Sequence, residues 1–112
     1  MIRDKLLDRL LLGFGEPARV TKKVNAWHIT SQFGIVIEVD TPKDGSYANV
    51  WLPEPFGNVT LPEIPTTHYP EDKGRHSNTY GTPGLTRGEP ALKIKVQTLE
   101  HIETFLGYLL PD

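Results

Sequence analysis

The sequence predicts an α+β domain. The expected architecture is a largely antiparallel sheet of four or five strands, with an N-terminal and a C-terminal helix packed on one face and a long irregular loop before the last strand. Three observations lead there. Apolar residues recur at helical spacing at both ends of the chain, and they alternate with period two in between. Prolines at 53, 55, 62, 65, 70, 83 and 90 keep the span 53–90 from reading as a helix or a central strand.

Ile2, Leu6 and Leu10 lie four apart, and Leu7 and Leu11 extend the stripe, so Ile2–Leu12 reads as a helix. Gly13 and Gly15 supply its stop. Leu10-Leu11-Leu12 widens the apolar face, which predicts packing on a sheet. Arg19–Thr30 is rich in Val, Thr, Trp and Ile and reads as one strand, or as a hairpin bending near Lys23-Val24-Asn25. Phe33–Asp40 alternates, with Phe33, Ile35, Ile37 and Val39 on one side. Thr41-Pro42-Lys43-Asp44-Gly45 is a turn, and Tyr47–Leu52 returns antiparallel beside the previous strand. A short edge strand at Val59-Thr60-Leu61 is one reading of the next stretch. Leu92–Gln97 is the last strand, with Leu92, Ile94 and Val96 inward and Lys93 and Lys95 outward. Thr98 caps the final helix, Leu99–Leu110, whose buried stripe is Leu99, Ile102, Leu106 and Leu109 with Phe105 beside it.

The length of 112 residues suits one domain spanning 1–112. At 38% hydrophobic and 23% charged residues, wholesale disorder is not expected. Cysteine is absent, which excludes disulfides, thiolate metal sites and cysteine nucleophiles. No apolar run approaches a membrane span, and Asp4 and Asp8 interrupt the first leucines, so the expectation is a cytoplasmic protein with no membrane partner.

The net charge of −2 hides a polarised chain. Residues 1–37 carry +3, 38–72 carry −6, 73–95 carry +4 and 96–112 carry −3. The basic stretch coincides with the part of the 53–90 loop richest in polar chemistry. Lys73, Arg75 and Arg87 supply cations, His76 and Asn78 hydrogen-bonding groups, and Tyr80 (like Tyr69) a ring on which bases stack. Lys93 and Lys95 extend that surface along the adjacent strand. The expected function is therefore a nucleic-acid-binding module, DNA ahead of RNA, using Lys73, Arg75, His76, Asn78, Tyr80, Arg87, Lys93 and Lys95. Tyr47, Asn49 and Trp51 share a strand face opposite Ala48, Val50 and Leu52; left open, it offers an aromatic platform, and under the helices it is core.

Two other classes compete. A protein-interaction or inhibitor module would use the acidic segment 38–72 and a basic protein partner. A small metal-independent hydrolase would use His68 or His76 as a general base with Arg75 or Arg87 stabilising anionic charge. No cofactor is expected. His68, Glu71, Asp72 and His76 follow no metal-ligand spacing, and Gly13-Phe14-Gly15 lacks the strand and third glycine of a dinucleotide site. Glu38 and Asp40 followed by Lys43 fail the spacing of a magnesium-dependent nuclease centre. A binding module is favoured over an enzyme.

Overall fold

In a computed structural model, residues 1–31, 33–54, 64–69, 79, 81–85 and 89–109 are described. Helix α1 covers Ile2–Phe14. It runs two residues past Leu12 and ends at Gly15, whose φ of 79° with ψ of −158° is a conformation open to glycine and whose N–H donates to the Leu11 carbonyl at 2.9 Å. The Trp27 indole N–H then donates to the Gly15 carbonyl at 2.9 Å and ties this helix end to the sheet.

Six strands follow: β1 (Arg19–Val20), β2 (Val24–Thr30), β3 (Phe33–Glu38), β4 (Ala48–Pro53), β5 (Thr66–Tyr69) and β6 (Ala91–Val96). Their order across the sheet is β1-β2-β3-β4-β6-β5, and every neighbouring pair is antiparallel. The expected four or five strands become six for two reasons. First, Arg19–Thr30 is a hairpin. The Thr21 hydroxyl oxygen accepts the N–H groups of Lys23 and Val24 at 3.1 and 3.0 Å, which turns the chain between β1 and β2. Second, the 53–90 segment is not irregular throughout. Thr66-Thr67-His68-Tyr69 is a proline-free run of strand formers, and it pairs with β6 at the sheet edge. Val59–Leu61 lies outside the described residues.

The 41–45 turn forms as expected, with Gly45 at φ 68° and its N–H donating to the Pro42 carbonyl at 3.2 Å. It also holds the start of α1. Arg3 donates from its backbone N–H to the Gly45 carbonyl at 3.1 Å and from its guanidinium to the Pro42 carbonyl at 2.6 Å.

Helix α2 covers Leu99–Leu109. Thr98 caps it, its hydroxyl oxygen accepting the His101 N–H at 3.0 Å. His101 reciprocates, its Nδ1 accepting the Gln97 N–H at 3.0 Å, so two backbone donors at the helix start are satisfied.

Both helices pack on one sheet face, as the pattern predicted. Leu6 and Leu10 of α1 and Ile102, Phe105, Leu106 and Leu109 of α2 share one core with Ile35, Ile37, Val50, Leu52, Leu92, Ile94 and Val96. Three leucines expected in that core are not in it. Leu11 and Leu12 are 40% and 84% exposed, because successive residues rotate about 100° away from the Leu6–Leu10 line. Leu99 is 57% exposed at the first position of α2, where it borders an open groove between the helices with Lys5, Asp8 and Arg9.

The opposite face is half covered. Thr82 and Leu85 are buried against it, and Leu85 joins Val24, Ala26, Val36, Trp51 and Ala91 in a second, smaller core. This cover depends on Gly34, whose N–H donates to the Pro83 carbonyl at 2.8 Å and whose missing side chain leaves room for the Thr82 methyl. Among the described residues no helix is long and apolar enough to cross a membrane.

Two outcomes follow. Gly34→Ala places a methyl where the Thr82 methyl sits; we expect a loss of about 1–3 kcal/mol in urea denaturation, the usual cost of overpacking. The Arg9 guanidinium bonds both carboxylate oxygens of Glu103 and bridges the helices, holding the Glu103 carboxyl below its usual range. A lowered folded pKa stabilises above the unfolded value, about 4.3, and the contribution disappears as pH falls through the folded value. Glu103→Gln is therefore expected to lower the melting temperature slightly at pH 7 and not at pH 2, with the difference shrinking in high salt.

Candidate functional site

The half of the outer face that Thr82, Pro83 and Leu85 do not cover is built by β4, β6 and β5. Strand alternation decides its membership. With Ala48, Val50 and Leu52 under the helices, Tyr47, Asn49 and Trp51 face the other way, alongside Lys93 and Lys95 of β6 and Thr67 and Tyr69 of β5. The ladder sets Asn49 opposite Lys95, Trp51 opposite Lys93, and Thr67 opposite Lys93 on the other flank.

Trp51 is the anchor. It is 2% exposed, and its indole N–H donates to Glu38 Oε2 at 2.6 Å. Glu38 is itself 7% exposed, and this charge-assisted bond offsets part of the cost of burying its carboxylate. The Tyr69 ring leans on Trp51 with centroids 4.8 Å apart and planes at 48°. The Lys93 ammonium sits 5.5 Å from both ring centres, a weak cation–π arrangement with two rings. Lys95 stands closer, 4.3 Å over the ring of half-buried Tyr47.

Beside these lysines lies an open groove of about 340 Å³, lined by Tyr47, Asn49, Pro65, Thr66, Thr67, Lys93, Ile94 and Lys95. Among the described residues no carboxylate lines it. On the lysine face the groove therefore presents two ammonium groups, one phenol ring, one carboxamide and the Thr67 hydroxyl, while Thr66, opposite Ile94, is turned toward the helix side. The charge of that set suits an anion better than a cation, and among the described residues lining it there is no histidine or carboxylate. Among the described residues no group of three or more His, Asp and Glu side chains could hold a metal ion.

The sequence-predicted site is placed in part. Lys93 and Lys95 stand together on the groove. Lys73, Arg75, His76, Asn78, Tyr80 and Arg87 lie outside the described residues, as do Glu71, Asp72 and His76 of the ligand set weighed for metal. His68 is exposed on the edge strand β5, opposite Leu92, whose side chain belongs to the helix-covered face. It is therefore turned away from the two lysines. Within the acidic segment, Glu38 is committed to Trp51. The Asp44 carboxylate accepts the Ser46 N–H at 3.0 Å, which holds the carboxyl below its usual range. Pro65, Thr66 and Thr67 were missed as lining residues. Their signal was the strand-forming run 66–69, masked by the prolines around it.

Comparison with family models, with curated proteins and with solved structures finds no match to this chain.

The Trp51–Glu38 bond is open to a direct check. Glu38→Ala leaves a buried indole donor unpaired and is expected to cost about 1–3 kcal/mol in urea denaturation. Glu38→Gln, which keeps an acceptor, should lose less.

Proposed function

We propose that the chain is a nucleic-acid-binding module that receives its ligand on the open half of the outer sheet face. The observation that carries this reading is the pairing of Lys93 and Lys95 on one groove with Tyr47 and with no carboxylate among the described lining residues. Ammonium groups neutralise phosphates, and an adjacent ring offers a surface on which a base stacks. The cation–π contacts hold the lysine charges at the groove rather than dispersing them into solvent.

Connectivity adds support. The segment bearing Lys73, Arg75, His76, Asn78, Tyr80 and Arg87 leaves β5 at Tyr69 and returns to β6 at Ala91, residues directly opposite each other in the ladder. DNA stands ahead of RNA as the ligand, and the module works without a cofactor in the cytoplasm.

Anisotropy titrations with labelled single- and double-stranded DNA and RNA across a salt series test the reading. Affinity should fall steeply as salt rises. Lys93→Ala with Lys95→Ala removes two phosphate contacts, so the log–log salt slope for a single strand should become shallower by about 1.4. Absence of binding at low salt, or an unchanged slope in the double variant, overturns it.

A further inference from the structure

The two lysines of the groove lie down on the sheet. Both are half-buried, with the Lys95 ammonium 4.3 Å over Tyr47 and the Lys93 ammonium 5.5 Å from Trp51 and from Tyr69. A phosphate that takes up these charges must therefore come close to the strands. The seat beside them is small. Its volume of about 340 Å³ is at the low end of pockets that hold one small molecule. Both helices pack on the other sheet face, so among the described residues no helix stands beside the lysines to enter the groove of a duplex. Tyr47 is the ring that lines the seat, and it is half-buried. Trp51 is 2% exposed and has Tyr69 leaning on it.

Resting on the nucleic-acid reading above, we infer that the groove takes an unpaired strand in preference to a duplex, and that Tyr47 carries the preference. A double helix, whose major groove alone is about 12 Å wide, does not enter a seat of this volume. Its bases are stacked on their neighbours and have no ring face to offer, so its phosphates are what remains for contact. An unpaired base has a free face. Stacking it on Tyr47 adds to the phosphate contacts whatever the base, because every base has a π-face. In the free protein the Lys95 ammonium lies over the Tyr47 ring. A phosphate draws it away, since a charge-assisted hydrogen bond is stronger than an exposed cation–π contact. Transfer of the ammonium from ring to phosphate uncovers the ring for a base of the same strand. Duplex phosphates draw the ammonium in the same way but leave the uncovered ring without a partner.

The experiment uses the full chain and labelled DNA of one length at one low salt concentration. The ligands are a mixed-sequence single strand, its duplex with the complement, and a strand of abasic sugars carrying the same phosphates. The single strand should bind about ten-fold tighter than either of the others, the gain from stacking one base. Tyr47→Leu removes the ring and keeps both lysines; it should abolish that margin while leaving the affinity for the duplex and the abasic strand intact. The abasic arm needs no variant, so it does not depend on how Tyr47→Leu folds. A duplex or an abasic strand bound as tightly as the normal single strand overturns the preference and leaves the nucleic-acid reading standing. A margin that survives Tyr47→Leu overturns the assignment to Tyr47. No binding to any of the three overturns both readings.

Discussion

The structure depends on one pairing, that of β4 with β6. Six consecutive register positions, from Ala48 opposite Val96 to Pro53 opposite Ala91, join two segments separated by the whole proline-rich span. On one side of this ladder stands the meander of β1, β2, β3 and β4, built from near neighbours in sequence. On the other stand β6, its edge partner β5 and helix α2. Closing so long a loop costs conformational entropy before any contact compensates for it. The compensation comes from the inward residues. Val50, Leu52, Leu92, Ile94 and Val96 all lie in the core that both helices cover. Hydrophobic burial on one face thus holds in register the side chains that the other face presents.

That other face is where structure and function divide. Over β2 and β3 it is closed by Thr82, Pro83 and Leu85, an approach that only a glycine at position 34 permits. Over β4, β6 and β5 no such closure is made by the described residues. The transition falls at Trp51, which is buried like a core residue yet bears Tyr69 on its flank and Lys93 above it. Glu38, two residues from Trp51's ladder partner Val36 and so on the same face, secures the indole. Glu38 accepts the indole N–H and does not line the groove. The two lysines on the groove stand out because the chain as a whole is slightly acidic.

Much of the fold was legible in the residues. Leu6 and Leu10, then Ile102, Phe105, Leu106 and Leu109, mark helices by spacing alone, and Thr98 marks a helix start because its hydroxyl suits an orphan backbone donor. Alternation in β3, β4 and β6 separated the two faces correctly. Leu11, Leu12 and Leu99 misled, because periodicity reports which side of a helix is apolar and not how far the neighbouring sheet extends beneath it. β5 was obscured by the prolines around it, since a four-residue edge strand needs little more than a free stretch of backbone and a partner.

The candidate site divides the same way. Sequence by itself determined that Lys93 and Lys95 share a face, that Tyr47, Asn49 and Trp51 share a face, and that each set opposes a run of aliphatic residues. Those statements follow from the two-residue period of a strand and need no partner. Only the tertiary structure decided that the two faces are the same face, with Asn49 set opposite Lys95 and Thr67 opposite Lys93. Register between distant strands is set by how their buried side chains pack against the helices, and no single strand carries that information.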